Sequence, residues 1–208
     1  MEHIDLLIKN YPKLNTIRPE IEKALNILIN TYKNNKKVLI CGNGGSAADS
    51  SHIVGELMKS FVKKRHISDD FKNELYNIDE DFAKKYADDL ELGLNTIDLT
   101  TILSLNTALL NDKNASIIYA NATMNYGYLD DTLLAISTSG NSINIINAAI
   151  VAKAKKMNVI SLSGNDGGKL KNYSDVSIIV PESETFRVQE YHLPIYHALC
   201  LELEDYFF

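Results

Sequence analysis

Thr132–Ser142, TLLAISTSGNS, decides the fold. Five apolar or β-branched residues run straight into four hydroxyls, a glycine and an asparagine. A short apolar run that stops at turn residues reads as a buried strand, here 132–136. The apolar stretch after Ser142 predicts a helix over 143–156. The same unit recurs on both sides. Lys36–Cys41, KKVLIC, is a strand that stops at Gly42-Asn43-Gly44-Gly45-Ser46, with Ser46 as the expected N-cap of a helix over 47–63. Further on, 158–162 is a strand, SGNDGG at 163–168 a turn, 167–173 a short helix, 176–180 a strand and 185–206 a long final helix. A strand at 95–99 completes five. Strands of four to six apolar residues alternating with helices imply an α/β protein with a doubly wound parallel sheet buried on both faces.

The remaining chain reads as helix. Residues 3–11 and 16–34 form an N-terminal helical extension (1–35). In its second helix Ile17, Ile21, Ala24, Leu25, Leu28 and Ile29 recur at helical spacing. Such helices suit a bundle element or an oligomer interface. Helices are expected at 101–110 and 113–125. Segment 66–93 is mostly charged, with Phe71, Leu75, Ile78 and Phe82 at helical intervals, and reads as one or two surface helices.

With 208 residues and no linker or low-complexity stretch, the chain reads as one domain. The net charge of −6 argues against a nucleic-acid partner. No apolar run is long enough to span a bilayer, and no signal peptide is evident, so a cytoplasmic protein with no membrane partner is expected. Cys41 and Cys200 are expected to be two buried thiols.

In parallel sheets of this kind ligands bind at the carboxyl ends of strands. The loops 42–46 and 137–142 stand there. GNGGS is neither a Walker loop nor a dinucleotide fingerprint, and no organic cofactor is expected. Ser137, Thr138, Ser139 and Ser142 offer hydroxyls where a strand meets a helix. With backbone N–H groups and a helix dipole they make a phosphate cradle that needs no lysine. His52 and Glu56 are four apart on one helix face. Gln189 and His197, eight apart, share roughly one face of the last helix. The apolar context of His197 predicts an imidazole that is at least partly buried and needs a partner.

Three segments carry a resemblance: CGNGGSAADSSHIVGEL (41–57), ISTSGNSINIINA (136–148) and FRVQEYHLPIYHALCLELED (186–205). Together they resemble the sugar isomerase (SIS) fold, and its phosphoheptose isomerase branch in particular. The resemblance implies conversion of D-sedoheptulose 7-phosphate to D-glycero-D-manno-heptose 7-phosphate through a cis-enediol. It implies Glu56 as general base, His197 as general acid and Gln189 as a substrate-orienting group. Ser137, Thr138, Ser139 and Ser142 would hold the phosphate. Asn43, Gly44, Gly45 and Ser46 would meet the sugar or phosphate. Asn111-Asp112 matches a pair that reaches a neighbouring subunit's site, so a homotetramer with shared sites is implied. Some members carry zinc at the positions of His52, Glu56, Gln189 and His197, which makes zinc a candidate ligand here. His3, His66 and His192 are expected to be structural.

Against that family 66–93 reads as a helical insertion, a lid, an interface or a solvated surface. Ser60 stands where a basic residue usually follows the catalytic glutamate, with Lys63, Lys64 and Arg65 as substitutes nearby. Phe186 replaces an acidic residue. These departures bear on which ketose phosphate is used. The alternatives are an isomerase of another ketose phosphate and a non-catalytic SIS protein that senses sugar phosphates or binds a replication initiator.

Overall fold

The computed structural model describes residues 1–208. Five parallel strands, β1 (Val38–Cys41), β2 (Thr96–Asp98), β3 (Thr132–Ile136), β4 (Asn158–Ser163) and β5 (Val176–Ile179), form one sheet in the order β2-β1-β3-β4-β5. Its register pairs Val38 with Thr132 and Thr132 with Asn158. The order reverses between β1 and β3. That reversal is the switch point at which open α/β sheets leave a crevice.

Alternate residues of the strands face opposite ways, and both faces are covered. Val38, Ile40, Leu134, Ile136, Ile160 and Leu162 pack toward α1 (Glu2–Asn10), α2 (Arg18–Lys33), α3 (Gly45–Met58) and α9 (Thr185–Phe207). Leu39, Cys41, Leu133, Ala135 and Val159 pack toward α7 (Ile118–Tyr126) and α8 (Ile143–Ala154). The N-terminal helices bury Ile4, Leu7, Ile21 and Leu28 in the first of these cores, so they belong to the chain's own packing. Both cysteines are buried and free.

Segment 66–93 contains two helices, α4 (Asp69–Ile78) and α5 (Glu80–Tyr86), capped by Ser68 and Asp79. Helix α6 (Leu103–Asp112) follows β2.

Several boundaries differ from the sequence reading. The helix after β1 ends at Met58, not 63, and Lys59 is extended. Ser46 is not its cap. Gly44, at φ 57°, turns the chain so that the helix begins at Gly45, a conformation that a side chain would strain. Residues Pro12–Ile17 form a 3-10 helix where the start of α2 was expected, because Pro19 favours a helix start at Arg18. The expected helix at 167–173 is only a 3-10 turn, Leu170–Tyr173, since Gly167 and Gly168 both adopt positive φ. No helix is long and apolar enough to cross a membrane.

Candidate active site

The loops after β1 and β3 face each other across the switch point and enclose a cleft of about 280 Å3. Asn43, Gly44, Gly45 and Ser46 form one wall, and Ser137, Thr138 and Ser142 form another. Thr185 and Gln189, from the first turns of α9, close the third side. Three helix N-termini, those of α3, α8 and α9, therefore meet around one polar hollow. Their unpaired N–H groups favour an anion. Ser137 Oγ lies 3.2 Å from Ser142 Oγ. The loop is pinned from behind, where Gly164 N–H donates to Thr138 O and Leu170 N–H to Gly140 O. The turn at 163–168 thus supports the cradle. Ser139 does not line the cleft. It is exposed, and its hydroxyl accepts from Asn141 N–H.

Asn43 and Asn144 exchange amide hydrogen bonds of 2.9 Å in both directions, tying the first loop to the start of α8. Gln189 crosses the cleft toward Gly45. A Cβ on Gly45 would stand 2.3 Å from Gln189 Nε2, so the close approach requires glycine there.

A second cluster sits where α3 packs against α9, further along both helices. Gln189 and His197 are separated by about 12 Å along the helix axis. His52 Nε2 is 3.1 Å from Glu56 Oε1, and His197 Nε2 is 3.5 Å from His52 Nε2. The Glu56 side chain is only 15% exposed, and its Oε2 has no hydrogen-bond partner. Lys59 Nζ stands 3.6 Å from that oxygen. Tyr196 Oη lies 3.0 Å from His52 Nδ1 and 3.3 Å from Asp49 Oδ1. An ionised Glu56 can only accept, so His52 donates from Nε2, while the single Tyr196 hydroxyl proton stands between Asp49 Oδ1 and His52 Nδ1. Burial, and then the neighbouring His52, hold the His197 ring below the usual imidazole range, while Glu56 pulls the other way.

The sequence set therefore splits. Asn43, Gly44, Gly45, Ser46, Ser137, Thr138, Ser142 and Gln189 share the anion cleft; His52, Glu56 and His197 share the second cluster. Asp112 joins neither. It is exposed and accepts from Asn111 Nδ2, its neighbour in sequence. Thr185, Asn144, Asp49 and Tyr196 were not singled out from sequence. Asp49 three before His52, and Tyr196 beside His197, were the available signals. Arg65 is not a substitute cation for the site. It is wholly buried and paired with Glu204, and Lys63 pairs with Asp205. His192 is buried with neither ring nitrogen hydrogen-bonded.

A doubly wound sheet with a hydroxyl-lined hollow at its switch point fits the SIS-domain class, and SIS-domain family models match residues 110–201 and 10–71. The phosphoheptose isomerase of Helicobacter pylori is 36% identical over 93% of this chain and 88% of its own length. That of Nitratiruptor is 34% identical over the full length of both. Among solved structures, the Neisseria gonorrhoeae phosphoheptose isomerase superposes with a TM-score of 0.76 at 30% identity, covering 98% of this chain and 96% of its own. The chain belongs to the phosphoheptose isomerase family of SIS-domain aldose–ketose isomerases.

Proposed function

We propose that the chain interconverts D-sedoheptulose 7-phosphate and D-glycero-D-manno-heptose 7-phosphate. The relatives' name supplies the substrate class. The observation that carries the reading is the largely buried Glu56 carboxylate, linked through His52 to His197, on the two helices whose first turns line the anion cleft.

Ser137, Thr138 and Ser142 anchor the phosphate at the helix N-termini, and Gln189 orients the chain of hydroxyls. Glu56 removes the proton from C1 of the ketose. His197 serves the carbonyl oxygen at C2 while the cis-enediol forms, and protonation at C2 gives the aldose. A desolvated, neutral imidazole suits that task, because it donates to a developing oxyanion without first losing a charge. Tyr196, itself tied to Asp49, holds the His52 ring in place facing Glu56.

Zinc is a further part of this proposal. Two imidazoles and a carboxylate are suitable donors, and Glu56 Oε2 has no hydrogen-bond partner, with Lys59 Nζ 3.6 Å away. His52, Glu56 and His197 would hold it only after drawing together around one point. Gln189 lies in the other cleft, and no three His, Cys, Asp or Glu side chains converge on one point. When bound, the ion would polarise the ketose carbonyl.

The chemistry is tested by incubating purified protein with sedoheptulose 7-phosphate and following the aldose by NMR, with fructose 6-phosphate and ribulose 5-phosphate in parallel. Turnover of the heptulose phosphate at the highest kcat/KM is expected. Exclusive turnover of a shorter ketose would move the assignment to the second reading. Binding without turnover would make the protein a sensor.

A further inference from the structure

Arg65 is the bulkiest fully buried side chain in the fold, and the groups it touches are informative. Its Nε donates to Glu204 Oε1 at 3.0 Å, its Nη1 to the Leu57 carbonyl at 2.7 Å and its Nη2 to the Glu56 carbonyl at 3.0 Å. The two charged side chains are 0% and 1% exposed. Glu204 in turn accepts from three successive amides, Phe61 N at 2.8 Å, Val62 N at 2.9 Å and Lys63 N at 3.1 Å. The Phe208 ring covers the guanidinium at 4.7 Å.

A buried ion pair is a poor source of stability, because desolvation offsets most of the attraction. Its placement is what matters. The carbonyls that Arg65 holds are two of the four at the C-terminal end of α3, and one of them belongs to Glu56 itself. Glu204 stands seven residues after His197 on α9, two turns along the same face. The pair therefore links the end of the helix that delivers the base to the helix that delivers the acid. It touches no residue of the anion cleft.

We propose that Arg65 and Glu204 are positioning residues that fix the Glu56 carboxylate against the His197 imidazole. The proposal rests on the acid–base reading of those two groups. A displacement of about 1 Å between reacting groups lowers turnover by up to about a hundredfold. Loss of the pair should therefore lower kcat and leave KM, set largely by the phosphate cradle, nearly unchanged.

The test is steady-state kinetics on sedoheptulose 7-phosphate for wild type, Arg65→Lys, Glu204→Gln and the double variant Arg65→Met/Glu204→Leu, with folding checked by circular dichroism. Asp131→Asn is the control. It removes another buried charge, hydrogen-bonded to Lys37 at the amino ends of the strands, away from the site. Arg65→Lys keeps the charge but cannot bridge both carbonyls and Glu204. It should lose about tenfold in kcat, and the double variant more, with KM within about twofold. Asp131→Asn should keep kcat. A folded double variant with wild-type kcat would overturn the proposal. If the double variant does not fold, isosteric Glu204→Gln decides, and wild-type kcat there, or a change in KM alone, overturns it. A wild-type protein without isomerase activity would remove the acid–base reading and this proposal together.

Discussion

At the scale of single residues the two clusters should fail in different ways. Ser137→Ala removes a hydroxyl from the anion cleft and should raise KM about tenfold or more, the worth of one hydrogen bond to a charged group, with kcat nearly kept. Gly45→Ala would drive a methyl into the Gln189 amide. Both KM and kcat should suffer, and crystallography of the variant should find Gln189 turned away. His192 offers a pH test remote from the chemistry. Burial pushes its pKa down to about 4 from 6.5. The unfolded chain takes up the proton first, so this contribution is complete above pH 6.5 and is lost as pH falls toward 4. The loss is about 3 kcal/mol across that window. Urea denaturation of His192→Phe should show a flatter acid limb than wild type. An equally steep limb would show that another group is responsible. Residue types were the most legible part of the site, because hydroxyls and glycines at strand ends advertise an anion pocket. Asp49 and Tyr196 were not, since their meaning comes from His52 lying between them in space.

At the scale of elements, α9 supplies groups to both clusters, and its sequence was read almost to the residue. It runs unbroken from Thr185 to Phe207 with Pro194 inside. Proline removes the donor to the Glu190 carbonyl and crowds the preceding turn, which should bend the helix between Gln189 and His197. Pro194→Ala should lower kcat by aiming His197 differently, and unchanged turnover would dismiss that role. The end of α3 was misread by five residues. Its apolar pattern continues past Met58, yet Glu204 captures the amides of 61–63 and stops the helix, a tertiary effect invisible to local periodicity. Arg65 shows the same limit, since a cationic run at 63–65 suggests solvent and the third member is wholly buried. Arg65→Met alone would leave Glu204 an uncompensated buried charge and should cost about 3–5 kcal/mol in urea denaturation.

For the whole molecule, the strand alternation set the sheet and both of its covered faces, and the switch point placed the cleft. What the single chain does not unite is Asp112 with the cleft. We take Asp112 to serve a neighbouring copy, in a tetramer whose light-scattering mass should be about four times the 23.3 kDa chain. Asp112→Ala and Glu56→Gln should each be nearly inactive alone, and refolding them together should restore part of the activity. No recovery on mixing would place Asp112 outside the partner's site. The central claim is that Glu56 moves a proton between C1 and C2 under a phosphate held at the switch point. One measurement addresses it most directly: conversion of sedoheptulose 7-phosphate in D2O, followed by NMR for deuterium at C2 of the aldose. Wild type should incorporate solvent deuterium at C2, and Glu56→Gln should lose at least about a hundredfold in rate while still binding substrate. A Glu56→Gln protein that isomerises at the wild-type rate would contradict the account.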